Sequence, residues 1–405
     1  MLDTIQKITQ LTQFNLDALL HPIDKTTFFK ENWEQTPLVV KRATKAFYQP
    51  LFSIEMVDKI LFYNRPQGRS LRVVQQQQPL LPSTYENPDG SLNLNQLYKA
   101  YGSGYTIVIN EIQRYHEAIK QLCSNIKEEL SHHVVANMYL TPPNQKALLP
   151  HYDTHDVLVL QVHGQKEWRI FDTPFETPLL HSHQPVFQEN QLTGSQSVVL
   201  EAGDFMYMPR GVPHYAFTQE DSSLHLTIGI HPSQWVDLFI ETLNVMAMQE
   251  VAFRKALPVG FHKAQHFDAA QISLFKEKFD QLLEHFTKNV NPQSALGMLS
   301  NKFEQSKQIA GDGHFAQLEK RTSLNLENVV KIRTGLNATV YHQGAVARIA
   351  FSGNTIKGPA HILDALNFIA NSEGTFLVRE LPNMTDKNKI KLVKRLIRGG
   401  LLKIV

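Results

Sequence analysis

Apolar and polar residues are patterned differently along three stretches of this chain. Between residues 134 and 230 the apolar positions come in short β-branched and aromatic runs, which predicts strands. These are the segments 134–140, 157–162, 166–171, 197–200, 205–208 and 224–230. The sequence His163-Gly164-Gln165 reads as a turn, making 157–162 and 166–171 the arms of a hairpin, and Gly203-Asp204 reads as a second turn. Upstream, residues 115–132 repeat at helical spacing with Ile119, Leu122, Ile126 and Leu130 on one face. Shorter helices are expected over 53–62 and over 91–100, the latter capped by Ser91. After His231-Pro232 the strand signals stop, and residues 234–257, 270–287 and 292–309 read as helices. Past Gly311-Asp312-Gly313 come a strand at 339–348, a helix at 361–370, and a Gly-terminated helix from Asp386 running into Leu401, a winged-helix-like order. Three domains are expected: 1–232, 233–312 and 313–405.

The chemistry concentrates in the first of them. In an extended segment residues i and i+2 face the same way, so His151 and Asp153 of Pro150-His151-Tyr152-Asp153 look at one point while Tyr152 looks away. A third ligand, His214, closes the Pro209-Arg210-Gly211-Val212-Pro213-His214 bend. Two histidines and one carboxylate form a facial triad, which leaves adjacent positions on Fe(II) open for a co-substrate and O₂. His155 shares the parity but lies i+4 from His151, roughly 13 Å along a strand, too far to join the same ion. Asp156 has the opposite parity. His132-His133, His181 and His183 have no carboxylate at ligand spacing, and His225 reads as an ordinary strand histidine.

The segments 149–153, Gly164-Gln165-Lys166-Glu167-Trp168-Arg169 and 203–214 resemble the JmjC-type 2-oxoglutarate oxygenases of the cupin superfamily, in particular their ribosomal oxygenase branch. Residues 28–40, 106–110 and 253–261 extend the likeness over most of the chain. The resemblance implies an α+β architecture: a double-stranded β-helix (cupin, jelly-roll) barrel, then a helical dimerisation region, then the winged-helix-like domain. It implies Fe(II) on His151, Asp153 and His214, with 2-oxoglutarate and O₂ as co-substrates and succinate and CO₂ as products. The far carboxylate of 2-oxoglutarate needs a cation inside an apolar barrel, because a buried unpaired charge is costly. Lys166 stands at the position where the family carries that cation. By the same likeness Asn137 and Thr227 face the co-substrate and Tyr139 the substrate pocket. The expected substrate is a His or Arg side chain of a large-subunit ribosomal protein. Lys at 166, where arginine-hydroxylating bacterial members carry Arg, puts the arginine target in doubt. Alternatives of other kinds are Nε-methyl-lysine demethylation, a dioxygenase independent of 2-oxoglutarate, and an idle metal-binding cupin whose winged helix binds nucleic acid.

Composition adds bounds. The chain has 405 residues, 42% of them hydrophobic, and a net charge of +2, which points to no particular polyionic partner. Between residues 356 and 405, however, nine Lys or Arg face four acids, a basic excess suited to a weak nucleic-acid contact. One cysteine, Cys123, allows no intramolecular disulfide and fits a reducing cytoplasm. No apolar run is long enough to span a bilayer, and no secretory leader is expected.

Overall fold

Strand parity sorts the barrel's residues into two faces. The computed structural model describes residues 14–172, 175–182, 186–307 and 311–405. Its first compact unit ends at Pro232 and its second begins at Ser233. The strands of the first unit are β1 (Leu38–Val40), β2 (Leu71–Gln75), β3 (Gln78–Pro79), β4 (Thr106–Ile109), β5 (His133–Thr141), β6 (Asp156–Phe171), β7 (Ser195–Glu201), β8 (Phe205–Met208), β9 (His214–Phe217) and β10 (Ser223–His231). They pair in the order β1-β8-β6-β10-β5-β4-β2-β3, with β7 and β9 also on β6. On β5, Val134, Ala136, Met138 and Leu140 face the main core, as do Leu158, Leu160 and Val162 of β6 and Leu224, Leu226, Ile228 and Ile230 of β10. The helix Glu117–Leu130 packs on this core through Ile119, Leu122 and Ile126, and Cys123 is buried with them. The intervening residues line the barrel interior, where Val157, Val159, Met206 and Met208 form a second, smaller cluster. Period two therefore assigns Asn137, Tyr139, His225 and Thr227 to the cavity side.

The expected hairpin at His163-Gly164-Gln165 does not form. β6 runs unbroken for 16 residues; its first half pairs with β8 and β10, and its second half with β7 and β9. One strand thus belongs to both walls of the barrel. A bulge lies just before the turn-like residues: opposite Leu224 and His225 the register on β6 skips from His163 to Gln161, leaving Val162 as the extra residue. A bulge inserts one unpaired residue and so reverses the inside-outside alternation beyond it. Before it, odd-numbered Val157 and Val159 face the interior; after it, even-numbered Lys166, Trp168 and Ile170 do. Gly164 sits at φ +63°, and a Cβ there would collide with the Ser222 carbonyl, so the position demands glycine.

Two local expectations also change. The helix near residue 91 is Leu94–Gly102, and Asn93, not Ser91, caps it by accepting from the Gln96 amide. Residues 339–348 are not one strand but a hairpin, β12 (Thr339–Gln343) and β13 (Val346–Phe351), turning at Gly344 with φ +57°.

The second unit starts with helices Trp235–Gln249, Ala269–Asn289 and Pro292–Gln305; of the residues expected to extend the last, 308–310 lie outside those described. The remaining strands are β11 (Val329–Ile332), β14 (Asn354–Pro359), β15 (Thr375–Leu377) and β16 (Leu402–Ile404). With the hairpin they make two three-stranded sheets, β15-β11-β16 and β12-β13-β14. Helices Leu363–Ala370 and Asp386–Gly399 bury Leu366, Ile369, Leu392, Val393, Leu396 and Ile397 in a shared core. Gly400 at φ +89° ends the last helix, as its Gly-Gly sequence requires.

Candidate metal centre

The predicted triad converges. One ligand atom from each of His151, Asp153 and His214 lies within 4.8 Å of the others. The Asp153 carboxylate stands 4.0 Å from His151 Nε2 and 3.7 Å from His214 Nε2. These gaps exceed a hydrogen bond, so the three groups face a shared space without closing on one another. His151 lies not in a regular strand, as parity reasoning assumed, but in a short extended segment joined to β9. Its amide donates to the His214 carbonyl (3.1 Å), and the His214 amide donates to the His151 carbonyl (2.8 Å). The two imidazoles are therefore a cross-strand pair with ring centroids 4.8 Å apart.

Each ring is held in the same tautomer by the same device. His151 Nδ1 donates to the Leu149 carbonyl at 2.7 Å and His214 Nδ1 to the Val212 carbonyl at 2.9 Å, both two residues upstream. With Nδ1 protonated, each Nε2 presents a lone pair, the form that binds a metal. Burial, aided by the neighbouring His151, pushes His214 down to about 4, so it stays neutral at physiological pH. Burial would raise the Asp153 carboxyl, but the positive charge that protonated His155, His151 and His214 would carry outweighs it, and the net direction is below the usual range. Two imidazole nitrogens and a carboxylate, a mixed N and O donor set, suit a divalent transition metal such as Fe(II).

A cavity of about 210 Å³ opens on this triad. Lys166 reaches into it from beyond the bulge of β6, not from a separate return strand. The ammonium is buried, and its hydrogen bond is donated to Thr141 Oγ1 at 2.9 Å. Among the described residues no carboxylate pairs with it, and burial alone pushes it down to about 7. Two more polar groups of the lining, Trp168 Nε1 and His225 Nδ1, are buried without hydrogen-bond partners. Buried polar groups are normally satisfied, so a lone cation beside two orphaned ring nitrogens fits an anionic guest that also reaches the triad.

The remaining candidates divide. Asn137, Thr227 and Tyr139 all line the cavity. Asn137 Oδ1 accepts from the Glu111 amide at 3.0 Å, and Thr227 hydrogen-bonds the Tyr139 phenol. The Tyr139 ring stacks on His225 at 4.9 Å, and burial pushes its hydroxyl up to about 12. His155 lines the cavity but stacks on His231 at 4.5 Å, outside the ligand set. His132 stacks on Trp33, and His133 lies against His231. His181 falls in a turn, and His183 lies outside the described residues. Sequence reasoning missed Trp168 and Arg72, which also line the cavity. Trp168 shares the parity of Lys166 and enters the cavity beside it. Arg72 carries no local motif.

Residues 108–238 match the JmjC domain family. Among similar proteins, the bifunctional lysine-specific demethylase and histidyl-hydroxylase NO66 of Drosophila erecta is 31% identical over 71% of this chain and 46% of its own length. Ribosomal oxygenase 1 of Danio rerio is 26% identical over 95% of this chain and 78% of its own. The chain spans about half the length, or less, of the NO66 relatives it matches. The solved structure of YcfD, a ribosomal oxygenase from Escherichia coli, in complex with cobalt and 2-oxoglutarate, aligns with a TM-score of 0.52 at 17% identity, covering 95% of this chain and 98% of that one. At that identity the likeness speaks for a shared fold.

Proposed function

We propose, from the premise that this chain belongs to the JmjC-type oxygenases, that it is an Fe(II)- and 2-oxoglutarate-dependent protein hydroxylase acting on a large-subunit ribosomal protein. The observation that carries this reading is the pairing of a convergent His151, Asp153, His214 set with the unpaired, buried Lys166 ammonium in one cavity. When bound, iron with 2-oxoglutarate and O₂ supplies the oxidising power that places a hydroxyl on an unactivated C–H, with succinate and CO₂ released. The chain's own residues bind and orient. His151, Asp153 and His214 would hold the metal, and the cavity onto which they open gives room for the co-substrate. Lys166, steadied by Thr141, takes the far carboxylate of the diacid, and Asn137 and Thr227 flank the co-substrate. Val157, Val159 and Met208 keep the wall apolar and water out. Tyr139, its ring fixed between His225 and Thr227, orients the acceptor side chain. No general base is required.

The lining also bears on the acceptor. Its one carboxylate, among the described residues, is Asp153, which the metal occupies, and Arg72 adds positive charge. A guanidinium or methylammonium would enter without a counter-charge, at a cost of several kcal/mol, whereas a neutral imidazole enters freely. We therefore favour histidine over arginine and over demethylation. The test is intact-mass analysis of ribosomal proteins from cells with and without the gene, then fragment mapping. A one-oxygen increment on a histidine is expected; unchanged masses would count against the reading.

We further assign the helical segment 233–312 to dimerisation and 313–405 to a winged-helix-like domain. Trp235, Phe239, Phe275 and Phe279 are exposed on the helices Trp235–Gln249 and Ala269–Asn289, which supports a partner surface. The basic C-terminal helix makes at most a weak nucleic-acid contact, since Lys389, Lys394 and Arg395 donate to carbonyls of their own domain. Among the described residues no helix is long and apolar enough to cross a membrane, and the single cysteine agrees with a reducing cytoplasm.

A further inference from the structure

The two chain segments that carry the metal ligands are far apart in sequence, and nothing covalent near the site sets their separation. Asp153 lies in the lead into β6 and Asp156 is its first residue, while Arg210 and Gly211 precede His214. Beside the paired backbone hydrogen bonds of His151 and His214, two more amides of the second segment reach the first. The Gly211 amide donates to the Asp153 carbonyl at 2.9 Å, and the Arg210 amide donates to the Asp156 side chain, at Oδ1, at 3.3 Å. Beside these lies a closed ring of side-chain contacts. Arg210 donates from one terminal nitrogen to Asp156 Oδ2 at 2.7 Å and from the other to Glu34 Oε1. Tyr207 Oη donates to Asp156 Oδ1 at 2.8 Å and accepts from the Glu34 amide at 2.8 Å, which completes the circuit.

Everything about the ring says that it is built. Asp156 is fully buried and the Arg210 side chain nearly so, an ionic pair whose desolvation is repaid only by excellent geometry. Glu34 sits in the left-handed region at φ +58°, a conformation that costs a non-glycine residue about 1 kcal/mol or more. The Trp33 ring stacks on Tyr207 at 5.9 Å. None of these residues lines the cavity. Apolar side chains of similar volume would hold the same space with comparable stability, so stability alone does not account for three charges and a strained backbone.

We propose that Asp156, Arg210 and Glu34 are positioning residues of the metal centre, a clamp that fixes the Asp153 side against the His214 side. Arg210 is the bolt: it lies four residues before His214 and grips an aspartate three residues after Asp153. Glu34 brings the N-terminal segment into the same joint, so the docking of β1 against β8 is coupled to the spacing of the ligands. Conserving the charge but shortening the fork, or keeping the shape but removing the charge, loosens the triad without touching it. This rests on the metal reading of the triad above.

The experiment is titration of the full-length protein with Co(II), followed by its visible absorption, for the wild type and for Glu34→Gln and Arg210→Lys. Leu97→Ala, a fully buried core position away from the ring, is the control for general destabilisation. Partners that orient metal ligands typically contribute 10–100-fold in affinity, so both variants are expected to raise the Co(II) dissociation constant by about 10-fold or more and to alter the band shape. Leu97→Ala should lower the melting temperature with neither change. Should Arg210→Lys not fold, Glu34→Gln, whose carboxylate is partly exposed, carries the test by itself. Melting temperatures that fall while Co(II) affinity and spectrum stay at wild-type values would overturn the clamp and leave a purely structural ring. A wild-type protein that binds no Co(II) would overturn the metal reading, and the clamp with it.

Discussion

The two units break the ordinary rules of burial in opposite directions. The first keeps polar groups inside without partners of opposite character: the Lys166 ammonium, Trp168 Nε1 and His225 Nδ1. The second keeps large apolar side chains outside: Trp235 is 80% exposed, Phe239 61% and Phe279 56%, and the 21-residue helix Ala269–Asn289 buries none of its residues. Each anomaly has the complement of its own chemistry as a remedy. An inward-facing cation with orphaned donors asks for a small anion, whereas an outward-facing apolar helix asks for another protein surface. A polar defect is cured by a ligand that leaves with turnover; an apolar one is cured by a contact that stays.

The largest effect that would break this contrast concerns the triad. Asp153→Ala leaves two imidazoles without the anionic ligand and is expected to abolish both Co(II) binding and 2-oxoglutarate turnover, read by calorimetry and succinate release. Retained turnover would remove the anionic ligand from the site. Next is the cation. Lys166→Met keeps the volume and deletes the charge, so the diacid's carboxylate would enter the cavity unpaired. That costs about 3–5 kcal/mol, or roughly a 10²–10⁴-fold rise in the 2-oxoglutarate requirement. Apo stability should not fall, because the variant removes a charge that no carboxylate of the described residues pairs.

The same residue yields a pH prediction. In the folded apo protein Lys166 titrates near about 7, whereas a lysine of the unfolded chain titrates near its ordinary value of 10.5. Between these values the unfolded state binds the extra proton, so apo stability rises with pH, by at most about 1.4 kcal/mol per unit. Below about 7 both states hold the proton and this contribution is flat. Saturating 2-oxoglutarate, or Lys166→Met, should remove the slope from melting curves recorded between pH 7 and 9. The second unit sharpens the contrast from its own side: Phe279→Arg with Trp235→Arg should halve the mass seen by sedimentation if these faces meet a second copy, with metal binding unaffected.

The converging triad was legible in the sequence because His-x-Asp and a proline-bounded histidine are local patterns. Lys166 was expected in the cavity, where it lies, for a partly mistaken reason. His163-Gly164-Gln165 carries the composition of a turn, and only the pairing partner, β10, reveals a continuous strand with a bulge at Val162 that re-aims the side chains beyond it. Trp168 has the parity of Lys166, but an indole carries no ligand pattern of its own. Asp156 was set aside as a ligand on parity, but parity says nothing about a carboxylate whose partner Arg210 lies 54 residues away, or about the Glu34 that grips Arg210 from 176 residues away. Ser91 lost the cap to Asn93, two residues on, a distinction that composition does not make. The second unit's 339–348 hairpin was missed because a lone Gly344 is a weak turn signal between two β-rich runs.

The unbroken course of β6 has a last consequence, for fraying. A hairpin would have set Lys166 beside a turn, where local opening costs least. One backbone instead runs on from the core-packed half into the half paired with β7 and β9, so the ammonium is borne by the interior of a 16-residue strand.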